Sequence, residues 1–177
     1  MTGFRPVGEE TVYEGWILRV ARGTFAGPDG ETFERDIVHH PGAVAAVPID
    51  GEEIVLVRQY RAALDAMMLE IPAGLRDVDG EPTEETAQRE LIEEVGLRAG
   101  SLEVLTTVHN SVGFSDESIT IYLATDLMAV ERELTDSPEE MAMEIIRMPL
   151  VEAEAMILSG ELTDAKTVIG VLAALRR

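Results

Sequence analysis

The sequence contains no cysteine, so it can form no disulfide framework and perform no thiol chemistry. Basic residues are scarce. Fourteen Lys and Arg stand against 34 Asp and Glu, a formal net charge of −20. Such a balance argues against a nucleic-acid polymer as partner, because phosphate backbones are held by basic surfaces. No apolar run approaches the roughly 20 residues of a membrane span, and the N-terminal stretch lacks a basic-then-apolar signal pattern. No membrane partner and a cytoplasmic setting are therefore expected. The sequence also shows no internal repeat, low-complexity tract or linker.

What is present is 177 residues, 46% of them hydrophobic, enough to build a sizeable core. The chain is organised around the stretch from Glu70 to Leu97, EIPAGLRDVDGEPTEETAQRELIEEVGL. It reads as a glycine-containing loop, a helix and a glycine stop. Thr83 is placed as N-cap, Glu84 and Glu85 fall in the first turn, and Gly96 sits where a left-handed residue ends a helix. Ala87, Leu91, Ile92 and Val95 make an apolar face at helical spacing. Glu90, Glu93 and Glu94 gather in one arc beside it.

That arc breaks a local rule. Glu93 and Glu94 lie in the last turn, where the helix dipole disfavours each anion by about 0.3–1 kcal/mol. Arg89 reaches Glu93 at i+4, which leaves Glu90 and Glu94 without a partner in the helix. Local rules are broken in this way at functional sites. A hard divalent cation, held by one or two carboxylates plus waters and phosphate oxygens, is the simplest compensator. A solvated acidic face is the bland alternative for any isolated Glu-Glu pair.

Gly74, Glu81 and the run Arg89-Glu90-Leu91-Ile92-Glu93-Glu94-Val95-Gly96-Leu97 resemble the Nudix box, the signature of hydrolases that cleave nucleoside diphosphates linked to another group. Every fixed position of the Arg-Glu-aliphatic-x-Glu-Glu-x-Gly-aliphatic core matches, and Glu81 stands eight residues before Arg89. Gly74 stands seven residues before Glu81, one more than the usual spacing. The phrases Val57-Arg58-Gln59-Tyr60-Arg61 and Glu70-Ile71-Pro72-Ala73-Gly74 look like the ADP-ribose and ADP-sugar branch of that family. The loop from His109 to Glu117 resembles the same branch, with Val112 where that branch has a proline.

Along the chain, Val12 to Val20 reads as a strand, and Pro28-Asp29-Gly30 marks a hairpin turn within Phe25 to His39. Ala43 to Pro48 and Ile54 to Tyr60 are apolar strands joined across Asp50-Gly51. Pro72 and Gly74 give the box loop an irregular backbone with carbonyls free of sheet pairing. Leu102 to Val108, Ile119 to Thr125 and Glu144 to Met148 are further strands. Leu150 to Ser159 and Thr163 to Leu175 are helices, the second covering the sheet through Val168, Ile169, Val171, Leu172 and Leu175. His39, His40 and His109 lack zinc spacing and read as surface or loop residues.

The fold class expected is α+β, a Nudix-type α/β/α sandwich with a mixed sheet and an N-terminal β-hairpin extension. Residues 1–42 form that extension, which by resemblance serves homodimerisation, and 43–177 form the hydrolase domain. The resemblance implies a metal site of Glu90, Glu94 and the Ala73 carbonyl holding Mg²⁺, with Mn²⁺ possible. Glu93 either joins the metal or is oriented through Arg89. A loop glutamate would be the general base, Glu139 ahead of Glu140. Arg35, Arg61, Glu70 and Phe114 fall to the substrate, a small nucleotide sugar; Glu117 supports the metal site or caps its loop. The activity implied is hydrolysis of ADP-ribose or a related nucleoside diphosphate sugar to AMP and a sugar phosphate. The rivals are another nucleotide, such as a dinucleotide or an oxidised nucleotide, and a non-catalytic ADP-ribose sensor. Three carboxylates facing a diphosphate argue against the sensor.

Overall fold

The computed structural model describes residues 3–132 and 141–177. The chain divides into two compact units. The smaller takes in the N-terminal residues to Gly42 together with His109–Ser118, and the larger takes in Ala43–Val108 and Ile119–Arg177.

The smaller unit is a three-stranded antiparallel sheet in the order β1-β2-β3, built from β1 (Arg5–Glu14), β2 (Arg19–Ala26) and β3 (Thr32–His39). The Pro28-Asp29-Gly30 turn joins β2 to β3 as expected, with Gly30 at φ 83°. The strand expected over Val12 to Val20 is instead a corner. β1 ends at Glu14, the Gly15 N–H donates to the Leu18 carbonyl at 2.9 Å, and β2 begins at Arg19. The alternation of apolar residues there reflects two strand ends flanking a tight turn. A Cβ at Gly15 would come within 2.8 Å of the Tyr13 ring, so a larger residue there would push that exposed ring aside. The 109–118 loop belongs to this unit through the backbone of β3, where the Val38 N–H donates to the Phe114 carbonyl at 2.7 Å.

The larger unit is a sandwich whose middle layer is a mixed sheet of seven strands, β4 (Ala43–Asp50), β5 (Glu53–Arg61), β6 (Ala66–Glu70), β7 (Ala73–Leu75), β8 (Leu97–His109), β9 (Ser118–Ala129) and β10 (Glu144–Pro149). Three helices complete it: α1 (Thr83–Val95), α2 (Leu150–Ser159) and α3 (Ala165–Ala174). β4 and β9 run parallel, from Ala43 opposite Ile119 to Pro48 opposite Ala124. β4 and β5 are a hairpin that pairs only at its tip, Ile49 with Ile54 and Asp50 with Glu53. Beyond the tip the two strands part. β5 is flanked by β6 and β10, and β4 by β7 and β9.

Side-chain alternation explains why these strands read as continuous apolar runs. Ala43, Ala45, Val47, Ile54 and Leu56 pack on one side with Ala153 of α2 and Val171 of α3. Val44, Ala46, Val55 and Val57 face the other way, with Ala87, Leu91 and Val95 of α1. A strand buried on both faces has no polar side to show. Gly170 lets α3 lie close on β4, since a Cβ there would stand 2.8 Å from Val47 Cγ2.

Candidate active site

The split between β4 and β5 is crossed by residues 70–74. Glu70 ends β6 opposite Val57 of β5, and Ala73 begins β7 opposite Ala45 of β4. Only Ile71 and Pro72 lie between the strands, and the Pro72 carbonyl accepts from the Ala46 N–H at 2.9 Å. The free, irregular loop expected here is thus largely sheet. Its small residues Ala73 and Gly74 fit the short β7 beside β4, and proline stands at the one step where no N–H is needed.

Helix α1 packs over this crossing. Its N-cap is Pro82, with no side-chain cap. Thr83, expected in that role, is the first helical residue, and its hydroxyl meets Tyr122 Oη at 2.7 Å. Gly96 closes the helix at φ 64°, and its N–H donates to the Ile92 carbonyl at 3.1 Å. No basic residue lies in the last turn. Arg132, distant in sequence, donates from Nε to the Glu93 carbonyl at 2.7 Å and supplies the positive charge the helix end favours.

The three glutamates have separate environments. Glu94 is buried, 7% exposed, and one of its oxygens accepts the Ala73 N–H at 2.9 Å. Burial pushes its carboxyl up to about 8, with the Glu90 charge adding to the rise and the Ala73 N–H opposing it. Glu90 rests against Gly74, and burial pushes it up to about 7 despite the adjacent Arg89. Arg89 serves a fan of acids. Its Nη1 donates to Glu90 at 2.7 Å and Glu93 at 3.1 Å, and its Nη2 to Asp77 and Glu81, each at 3.4 Å. The guanidinium therefore reaches Glu90 as well as the Glu93 expected from the i+4 rule.

Among the described residues no three His, Cys, Asp or Glu side chains are grouped closely enough to hold a metal ion. The donor chemistry nevertheless fits a hard divalent cation. Two desolvated carboxylates one helical turn apart, with elevated protonation ranges, favour a dication over bare anions, and Mg²⁺-type sites take only one or two carboxylates plus water.

Behind the crossing, Glu70 is 2% exposed and clamped by two cations. Arg61 donates to it from Nε at 2.7 Å and from Nη2 at 2.6 Å, and Lys166 Nζ bonds Oε2. Burial alone would raise the Glu70 carboxyl, but Arg61 and Lys166 outweigh it and hold the group below the ordinary range. The bond to Glu70 in turn raises Arg61. Lys166 was not anticipated. The available signal was compositional, since it is the only lysine in the sequence.

The NUDIX domain profile matches residues 39–168. The chain belongs to the Nudix family. Its sequence is 42% identical over 171 residues to an ADP-ribose pyrophosphatase of Mycobacterium tuberculosis, covering 96% of this chain and 82% of that protein. It is 35% identical over 164 residues to an ADP-ribose pyrophosphatase of Bacillus subtilis, covering 92% and 88%. The crystal structure of an ADP compounds hydrolase superposes with a TM-score of 0.84 at 25% identity, covering 98% of this chain and 92% of that one. The mixed sheet with its helices is the Nudix fold, and α1 with the preceding crossing is the Nudix box.

The other expected site residues are placed as follows. Arg35 is an exposed residue of β3, its guanidinium 4.8 Å from the centre of the Phe33 ring. Phe114 is exposed in the 109–118 loop, and Asn110 donates to Glu117 in the same loop at 3.0 Å. All four of these loop and strand residues belong to the smaller unit. Glu139 and Glu140 lie outside the described residues. His39, read as a plain surface residue, has both ring nitrogens engaged, Nδ1 with Asp116 at 2.6 Å and Nε2 with Glu9 at 2.9 Å. No helix among the described residues is long and apolar enough to cross a membrane.

Proposed function

We propose that this Nudix enzyme hydrolyses the diphosphate of ADP-ribose or a related nucleoside diphosphate sugar, giving AMP and a sugar phosphate (ribose 5-phosphate from ADP-ribose). The observation that carries the reading is the pair of desolvated carboxylates, the half-buried Glu90 and the buried Glu94, set on the crossing between β6 and β7 in a chain with two ADP-ribose pyrophosphatases among its relatives.

Glu90, Glu94 and the Ala73 carbonyl hold the metal, Mg²⁺ or Mn²⁺. When bound, such an ion neutralises the diphosphate and lowers the pKa of a coordinated water. Glu93, tied to Arg89 at 3.1 Å, keeps that guanidinium in place beside Glu90. Arg61 gives Nε and Nη2 to Glu70, so it meets the substrate through Nη1, with Glu70 fixing its direction. Arg35 and Phe114, both exposed on the smaller unit, are the remaining candidates for ionic and stacking contacts with a nucleotide sugar. Glu139, or its neighbour Glu140, takes the proton of the attacking water as the oxygen–phosphorus bond forms and the bridging P–O bond breaks.

The partner is a second copy of the chain. Phe4, Val7, Val12, Tyr13 and Trp16, along and around β1, are each more than half exposed, more apolar surface than a free edge strand ordinarily carries. Sedimentation velocity is expected to give a dimer, and a monomer at micromolar concentration would refute it. For the activity, a panel of nucleotide sugars, dinucleotides and oxidised nucleoside triphosphates incubated with Mg²⁺ is read by phosphate release after phosphatase treatment. ADP-ribose and ADP-sugars are expected to lead; tight ADP-ribose binding without turnover would favour the sensor.

A further inference from the structure

The start of α3 carries a second set of polar groups directed at the box crossing. Lys166 is 8% exposed. Its Nζ bonds Glu70 and lies 3.0 Å from Asp164 Oδ2. Asp164 caps the helix, accepting from the Thr167 N–H at 3.0 Å and from the Thr167 hydroxyl at 2.6 Å. The Thr167 oxygen accepts the buried Ile71 N–H at 2.9 Å. Counting Arg61, the group holds two cations and two anions and is balanced.

These bonds fall on consecutive points of one short segment. Helix α3 holds the Glu70 side chain and the Ile71 N–H, while Glu94 of α1 holds the Ala73 N–H. Residues 70–73 are therefore suspended between two helices. A buried ion pair is poor evidence for stability, because apolar residues of similar size often serve as well. What a directed ammonium and a hydroxyl add is fixed geometry.

We propose that Lys166, with Thr167, is a positioning residue for the metal site: α3 fixes the crossing so that Ala73 stays in register with Glu94. The inference rests on the assignment of Glu94 as a metal ligand. It concerns two residues outside the Nudix box that act through the crossing.

The test is Mn²⁺ affinity without nucleotide, measured from the free-ion EPR signal, on wild type, Lys166→Met, Lys166→Arg, Thr167→Val and Glu94→Gln, with circular dichroism to confirm folding. Lys166→Met and Thr167→Val are each expected to bind Mn²⁺ about 10-fold more weakly. Their kcat should fall in step while KM for ADP-ribose stays within about threefold. Lys166→Arg should restore most of the affinity. Lys166→Met should weaken binding less in the Glu94→Gln background than in wild type, because part of its effect runs through Glu94. Folded Lys166→Met and Thr167→Val proteins that bind Mn²⁺ within about twofold of wild type would overturn the proposal. If Lys166→Met does not fold, Thr167→Val decides by the same criterion. A wild-type protein that binds no Mn²⁺, or a Glu94→Gln variant that binds it normally, instead overturns the metal-site reading itself and the positioning role with it.

Discussion

The carboxyl carbon of Glu90 lies 1.9 Å from the point where a Cβ on Gly74 would stand. The helix residue occupies the volume of a side chain that position 74 does not have. The glycine of the box is thus a steric requirement of the glutamate sixteen residues later, and its φ is not in the left-handed region that would need glycine for other reasons.

Gly74→Ala must displace Glu90 or β7. Overpacking of this kind costs about 1–3 kcal/mol, so the protein should still fold with a modestly lower Tm. Turnover with Mg²⁺ should fall at least ~100-fold, the scale of losing one directed electrostatic contact. Activity within a few-fold of wild type at saturating metal would show that Glu90 is not held where the metal needs it.

The metal-free protein should gain more from Mg²⁺ as pH rises. Glu90 at about 7 and Glu94 at about 8 sit above the ordinary carboxyl value of 4.5. Between those limits the folded state binds more protons than the unfolded one, so the contribution of these two groups to metal-free stability falls as pH increases. The cation needs both carboxylates ionised. Scanning fluorimetry with and without MgCl₂ should therefore give a Tm increment that grows from pH 6 to pH 9 and nearly vanishes in Glu94→Gln. A pH-independent increment, or one retained in that variant, contradicts the assignment.

Glu139→Gln should lower kcat by ~10²–10⁴ and leave KM little changed, as expected for loss of a general base. Steady-state kinetics on both neighbouring variants separates the candidates. A normal Glu139→Gln with a crippled Glu140→Gln moves the base by one residue.

His39 should titrate above its ordinary 6.5. The Glu9 and Asp116 carboxylates raise it; Glu9 is itself lowered, by Arg19 first and His39 second, and Asp116 is lowered by His39 against the effect of its burial. The stability from its imidazolium is fully present below about 6.5 and is lost as pH rises through the elevated folded value. The carboxylate side of the same bonds is lost only in acid, as pH falls through their lowered values. An NMR titration of the His39 ring should show the upward shift and its reduction in Asp116→Asn. A midpoint at or below 6.5 in the native protein would contradict the bridge.

Much of the larger unit was legible in the sequence because its signals are local. Helix α1 announces itself by its apolar face and Gly96, and the β4–β5 hairpin by Asp50-Gly51. What escaped the reading depends on distant partners. Thr83 looked like an N-cap, but Tyr122 takes its hydroxyl from 39 residues away. The helix end lacks a basic residue of its own and takes Arg132 from equally far along the chain. The Val12 to Val20 corner misled because strand ends on both sides of a turn share one alternating pattern. His39 gave no hint of its bridge, since Asp116 is 77 residues away.

The amides of Ile71 and Ala73 both donate to side chains, one to Thr167 and the other to Glu94. Most strand amides report only whether the backbone ladder is intact. Here the exchange rate of two protons, two residues apart, becomes a paired gauge: one tracks the grip of the C-terminal helix, the other the ionisation and occupancy of the carboxylate opposite.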